Sequence, residues 1–324
     1  MDSAVTTIAR RIAETNGIRL AYDEAGAGPL VLLVHGWPEL AYSWRNQIPA
    51  LAAAGYRVVA PDMRGYGESG APAAAEDYTI LHLVGDLVGL LDHLGAAEAV
   101  VVGHDWGAVV AWHAALLRPD RFRAVAAMSV VHMLRAPQAP VATFRGRGLD
   151  GFYWVYFQEP GVAEAELDRD AARSLRCVYH AASGDVPADW HWRAVVPAGG
   201  GLLDTTLEPA SPPAWLAPND FARYADAFRK SGFRGGLNWY RNLDRNWALM
   251  APFADARIRQ PALFIAGERD PTLRIGGRRD RLAAMDEAVP GLRGEILIPG
   301  AGHWVQQEAA ERVNAELIAF LRGL

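Results

Sequence analysis

Ala99-Val100-Val101-Val102-Gly103-His104-Asp105-Trp106-Gly107-Ala108 is the segment from which this chain is read. The apolar run predicts a strand buried on both faces, and Ala108 to Leu117 continues as a helix. Between them the chain turns sharply. Gly103 and Gly107 stand two residues either side of Asp105, so the backbone can close up and push the central side chain outward. A seryl oxygen in that place suits attack on acyl carbon. A carboxylate is a weaker nucleophile that displaces at saturated carbon and becomes an alkyl ester. Asp105 therefore points away from ester hydrolysis and towards opening of a strained or polarised carbon–heteroatom bond.

The segment repeats in kind along the chain. Leu30 to Val34, Arg57 to Ala60, Ala124 to Met128, Ala262 to Ala266 and Glu295 to Ile298 share its buried-strand character. Thr6 to Ala13 and Ile18 to Asp23 flank Asn16-Gly17, a hairpin signal. Helix-period segments lie between them at about Ala41 to Ala54, Thr79 to Leu94, Ala108 to Leu117, Ile275 to Val289 and Val305 to Leu321. The alternation predicts an α/β fold: a mostly parallel eight-stranded sheet flanked by helices, the hairpin supplying an antiparallel edge. From about His132 to Met250 the rhythm stops and Trp, Tyr, Pro and Gly accumulate. That stretch reads as a helical lid at 132–250, inserted into a core of 1–131 and 251–324. Within it Asn219 is an expected N-cap, and Ser231-Gly232 an expected helix end.

Composition narrows the partners. The 324 residues are 51% hydrophobic and 21% charged, with a net charge of −5 and no Lys/Arg-rich run. Nucleic acid and anionic membrane are not favoured. One cysteine, Cys177, excludes an internal disulfide framework and fits a reducing compartment. The first residues lack a signal peptide's basic and apolar regions, and no apolar run is long enough to span a bilayer. A cytoplasmic location is the expectation.

Further candidates surround Asp105. His303, in Gly300-Ala301-Gly302-His303-Trp304, lies after the last strand and before the final helix, as a candidate base. Asp270, in Gly267-Glu268-Arg269-Asp270-Pro271, ends the preceding strand and is the candidate acid that orients it. The other common acid position offers only Ser129-Val130-Val131-His132, without a carboxylate, and Glu268 reads as a solvated loop residue. His35-Gly36-Trp37-Pro38 follows the strand ending at Val34. Backbone N–H groups of Trp37 and Trp106 are the candidate oxyanion hole. Gly65-Tyr66-Gly67-Glu68-Ser69-Gly70 matches G-x-G-x-x-G, but no helix opens at its last glycine, so it reads as a loop and not a dinucleotide site. No Cys/His cluster has metal-ligand spacing.

At these residues the sequence resembles the α/β-hydrolase-fold epoxide hydrolases, bacterial enzymes and the hydrolase domain of mammalian soluble ones. His35-Gly36-Trp37-Pro38 matches the family's H-G-x-P motif, and Gly65-Tyr66-Gly67-Glu68-Ser69 its glycine loop. Two lid segments match as well: Tyr153-Trp154-Val155-Tyr156-Phe157-Gln158-Glu159-Pro160-Gly161 and Gly236-Leu237-Asn238-Trp239-Tyr240-Arg241-Asn242. The resemblance implies that Tyr153 and Tyr240 point at the substrate, with Tyr156, Trp239 and Tyr224 structural. It implies attack by Asp105 on an epoxide and hydrolysis of the ester by water activated at His303, giving a vicinal diol with no cofactor or metal. A phenol is neutral at pH 7 and donates a hydrogen bond without pairing to Asp105.

Trp106, Trp154, Phe157 and Trp304 are the expected pocket lining, fitting an apolar aryl or alkyl epoxide. The expected partners are that substrate and water, in a monomer or homodimer. A haloalkane or haloacid dehalogenase would share Asp105 and the Asp-Trp pair, but would leave the two tyrosine motifs without a role. A non-catalytic ligand receptor on the same fold is a remoter alternative.

Overall fold

The computed structural model describes residues 7–275 and 277–324. Thr6, where the first strand is expected to begin, and Met1 to Val5 lie outside the described residues, as does Gly276. Asn16 and Gly17 both take positive φ, 47° and 75°, as a two-residue hairpin turn requires. They join β1 (Ala9–Thr15) to β2 (Ile18–Ala25). The other strands are β3 (Leu30–Val34), β4 (Arg57–Pro61), β5 (Ala99–His104), β6 (Phe122–Met128), β7 (Ala262–Gly267) and β8 (Leu292–Ile298). They form one 8-stranded sheet in the order β1-β2-β4-β3-β5-β6-β7-β8. β1 pairs antiparallel with β2 and β2 with β4, and the remaining neighbours are parallel. The hairpin is thus the antiparallel edge that the sequence predicts.

The parallel strands alternate between two apolar layers. Val31, Leu33, Val100 and Val102 face α1 (Gln47–Ala53) and the C-terminal helix, while Leu32, Val34, Val101 and Val125 face α2 (Ile80–His93) and α3 (Trp106–Leu117). In α2 the buried Leu83, Leu87, Leu90 and Leu91 recur at helical spacing, and the Thr79 side chain accepts from the His82 N–H to cap the helix.

Residues 129–261 separate β6 from β7. Their helices are α4 (Pro140–Gly146), α5 (Tyr153–Tyr156), α6 (Val162–Leu167), α7 (Ala171–Ala182), α8 (Pro218–Ser231), α9 (Arg234–Arg241) and α10 (Leu243–Leu249). The chain then completes the sheet layer with α11 (Arg278–Ala288), α12 (Val305–Glu308) and α13 (Ala310–Arg322).

Several helix boundaries differ from the periodic reading. Asn219 is not the N-cap of α8. Pro218 occupies its first turn and Ala217 the cap, because proline's fixed φ suits the position whose N–H is unpartnered in any case. Gly232, at φ 65°, does close that helix. The segment 41–54 divides into a 3₁₀ turn, Ala41–Trp44, and α1. The segment 305–321 breaks at Ala309, whose φ of −130° is not helical. Among the described residues, no helix is long and apolar enough to cross a membrane.

Candidate active site

Asp105 joins β5 to α3 with φ 53° and ψ −121°, a conformation that costs a non-glycine residue about 1–3 kcal/mol. The glycines around it permit the turn. A Cβ on Gly107 would lie 2.0 Å from the Val34 carbonyl oxygen, and one on Gly103 2.0 Å from that of Gly107. The strained turn lifts the Asp105 carboxylate to the C-terminal edge of the parallel strands, where α/β sheets place their ligands. Gly36 is confined for the same reason, since a Cβ there would stand 2.6 Å from Asp105 Oδ1.

The other residues singled out from sequence meet at this edge. Trp37 N–H, just after β3, donates to Asp105 Oδ1 at 2.8 Å. Trp106 begins α3, so its N–H has no intrahelical partner, and among the described residues it has no other. His303 Nε2 lies 3.4 Å from Asp105 Oδ2. On its other side Nδ1 meets the Asp270 carboxylate at 3.1 and 3.2 Å. Asp270 is held in turn by the N–H and hydroxyl of Thr272 at 2.8 and 2.7 Å. Glu268 is exposed.

Electrostatics follow from that sandwich. Burial opposes protonation of His303, but the carboxylates of Asp270 and Asp105 outweigh it and hold its pKa well above the ordinary imidazole value. For Asp270, burial opposes ionisation, and His303 with Thr272 reverses the balance and lowers the pKa.

Above Asp105 lies a cavity of about 320 Å³, lined by Asp105, Trp106, Tyr153, Trp154 and Tyr240 among others. The rings of Tyr153 and Tyr240 stand 5.7 Å apart. Burial, and next the Asp105 charge, raise both phenol pKa values, so each remains a donor at neutral pH. Trp154 and Trp106 are the polar side chains beside the two hydroxyls, and no hydrogen bond of ordinary geometry ties either hydroxyl among the described residues. Tyr156, Tyr224 and Trp239 point elsewhere: their polar atoms pair with Glu166, Ser43 and the Arg64 carbonyl.

Two of the expected lining residues do not reach the cavity. Phe157 comes one helical turn after Tyr153 and is spent behind it, its ring 5.4 Å from Trp37 and 5.0 Å from Tyr240. Trp304 turns away from the cavity; its indole N–H donates to the Tyr179 carbonyl at 2.8 Å, and its ring backs His303 at 4.8 Å. Both are supports for residues that line the site. The glycine loop at 65–70 folds over Asp62, whose carboxylate accepts from Glu68 N–H, and only a 3₁₀ turn at Ala75–Tyr78 precedes α2.

Sequence reading missed a buried network beneath the site. Glu39 accepts from Gly36 N–H at 3.0 Å and from the Gln306 and Gln307 side chains at 2.9 and 3.1 Å. It also meets His104 Nδ1 at 2.6 Å, while His104 Nε2 meets the His303 carbonyl at 2.7 Å. Both partners of His104 are acceptors, so both bonds form when each ring nitrogen carries a proton. Burial opposes ionisation of Glu39, yet His104 and the Gly36 N–H bring its pKa down to about 2. Ser129, at φ 70°, adds a hydroxyl bond of 2.9 Å to the same His303 carbonyl. The network fixes the Gly36-Trp37 loop and the His303 loop relative to each other. Among the described residues, no group of three or more His, Cys, Asp or Glu side chains is arranged to hold a metal ion.

Residues 29–159 match the α/β hydrolase fold family. The chain is 51% identical to epoxide hydrolase A of Mycobacterium tuberculosis over 317 residues, covering 97% of each chain. The crystal structure of epoxide hydrolase A from Mycobacterium thermoresistibile is 51% identical and superimposes with a TM-score of 0.91, over 98% of this chain and 99% of that one. An epoxide hydrolase from an endophytic Streptomyces, 44% identical, gives a TM-score of 0.93 over 98% and 96%. Identity of this extent, over the whole fold and with a carboxylate at the strained turn, shows that the chain belongs to the epoxide hydrolases of the α/β-hydrolase fold.

Proposed function

We propose that the protein converts an apolar epoxide to a vicinal diol through an alkyl ester on Asp105. The reading rests on one arrangement above all: a carboxylate open to a cavity that two phenols, Tyr153 and Tyr240, also line, their rings 5.7 Å apart. In the first step the Asp105 oxygen forms a bond to a ring carbon as the carbon–oxygen bond of the oxirane breaks. The hydroxyls of Tyr153 and Tyr240 stabilise the developing alkoxide, which takes a proton from one of them, and that phenolate is reprotonated through solvent. Asp105 thereby loses its charge, and with it goes part of the attraction that holds the proton on His303. The imidazole, still aligned by Asp270, becomes a neutral base at the stage that needs one.

In the second step His303 removes a proton from water as the water oxygen adds to the Asp105 ester carbonyl. N–H groups of Trp37 and Trp106 bind the oxyanion. Collapse of the tetrahedral species expels the diol oxygen, which takes the proton held on His303, and the carboxylic acid left on Asp105 returns a proton to the imidazole, restoring the carboxylate. Residues 132–250 act as the lid that carries both tyrosines over a core of 1–131 and 251–324. The substrate is an aryl or alkyl epoxide in keeping with the apolar side chains around Asp105. We place the protein in the cytoplasm, as a monomer or homodimer.

His303→Gln tests the ester route. The variant should form the ester and fail to hydrolyse it, with turnover reduced about 10²–10⁴-fold. Mass spectrometry after mixing with styrene oxide should find the peptide carrying Asp105 heavier by the mass of the epoxide. Diol formation at the native rate, or an adduct on a different peptide, would overturn the assignment.

A further inference from the structure

The cavity runs well beyond the reacting groups. Along α3 the lining residues Trp106, Val109, His113 and Leu116 follow one another at helical spacing, and Val130 to Ala136 form part of the facing wall. Most of this distal wall is apolar: Met133, Leu134, Pro140, Leu243, Trp247 and Met250 all contribute. Two imidazoles interrupt it. His113 and His132 meet edge to face, ring centres 5.9 Å apart at 88°. Trp112 lies 5.9 Å from His132 on another side.

Neither ring is accounted for by packing alone. His113 Nδ1 faces the Val109 carbonyl at 2.7 Å and so must carry the proton. Its Nε2 is left as a lone-pair acceptor. Among the described residues His132 has no hydrogen-bond partner at either nitrogen, although it is only 8% exposed. Both rings line the cavity with nitrogens that no group among the described residues bonds, and polar atoms on a mostly apolar wall imply a ligand group that pairs with them. The two cations among the lining residues are already engaged, Arg135 with the carbonyl and ring of Trp247 and Arg281 with the carbonyls of Thr272 and Ile275.

We propose that His113 and His132 are a second polar subsite of the reaction cavity, which recognises a hydroxyl group on the epoxide substrate about 12 Å from the oxirane, the length of α3 between Asp105 and His113. This rests on the epoxide reading above and adds the substrate's remote functional group to it. Burial lowers both imidazole pKa values, that of His132 to about 3, so the pair is neutral at physiological pH. A neutral imidazole pair supplies one fixed acceptor and one nitrogen of each kind. A hydroxyl, which donates and accepts, satisfies them; a carboxylate would set an acceptor against the His113 Nε2 lone pair.

The test compares terminal 1,2-epoxides with and without a hydroxyl at the far end, over a series of chain lengths. In the native enzyme kcat/KM for the hydroxylated member should exceed that of its plain partner about five- to tenfold at one chain length only, the worth of a net hydrogen bond. In His132→Phe and in His113→Phe the ratio should fall to unity or below. The ratio within one variant cancels changes in folded fraction and in the chemistry at Asp105. Turnover of the plain epoxides keeps a failure of this proposal separate from a failure of the epoxide reading. No length-dependent preference in the native enzyme would overturn the subsite. So would an unchanged ratio in either variant, or a larger gain from a terminal carboxylate.

Discussion

The hydroxyls of Tyr153 and Tyr240 are polar atoms held among aromatic rings, Tyr153 against Phe152, Trp154 and Trp192, and Tyr240 against Trp37, Trp106 and Phe157. Each hydroxyl lines the cavity with one indole as its polar neighbour, Trp154 for Tyr153 and Trp106 for Tyr240, so removing it leaves the ring contacts in place. Tyr153→Phe and Tyr240→Phe should therefore melt close to the native temperature while losing activity, about 10²-fold in kcat for either. Calorimetry beside steady-state kinetics checks both halves, and a clear loss of thermal stability would make the hydroxyls structural. The residues around them differ in how far sequence betrays them. Asp105, Asp270 and His303 each follow a strand, so topology alone brings them to one edge. Glu39 looks like any solvated loop acid, because its partners Gly36, His104, Gln306 and Gln307 are scattered along the chain. Phe157 and Trp304 lie one turn and one residue from groups at the site, a separation too fine for sequence to tell lining from backing.

At the level of elements, the short α12 matters more than its length promises. Its last residue, Glu308, accepts from Gly184 and Gly302 N–H at 2.8 Å each and from Trp304 N–H at 3.0 Å. One carboxylate thus ties the loop after α7 to both neighbours of His303. Glu308→Ala would strand three backbone donors, for a loss of about 3 kcal/mol, or roughly 4 °C in melting temperature for a chain of this size. Because the His303 loop loosens while the cavity stays, kcat should fall more than KM rises. Unchanged kcat together with an unchanged melting temperature would show that solvent replaces the bonds. Sequence periodicity found the helices of the sheet layer but not the break at Ala309 that creates α12. The hydrophobic pattern runs through the break, and the kink depends on what Glu308 finds in space.

The molecule as a whole has two apolar layers of unequal reach. The layer on one face of the sheet closes under α1 and α13. The other continues without interruption from Leu32, Val101 and Phe264 in the strands, through Trp37 and Trp106 at the site, to Val155, Leu175, Tyr224 and Trp239 in α5, α7, α8 and α9. Polar ties cross the same boundary: Tyr224 meets Ser43 at 2.8 Å, and the Tyr42 hydroxyl and Arg45 reach Asp220 at 2.7 and 3.1 Å. A shared core of this kind gives the inserted helices little to gain by unfolding alone. Heating should produce one transition, at the same temperature by far-ultraviolet circular dichroism and by tryptophan fluorescence. Fluorescence samples both layers, because six of the 11 tryptophans (Trp154, Trp190, Trp192, Trp215, Trp239 and Trp247) lie between β6 and β7 and the other five outside that stretch. Earlier opening of the inserted helices would therefore show as an early phase. A fluorescence transition in two phases, the first several degrees below the dichroism midpoint, would mean that the helices carrying Tyr153 and Tyr240 open over an intact sheet.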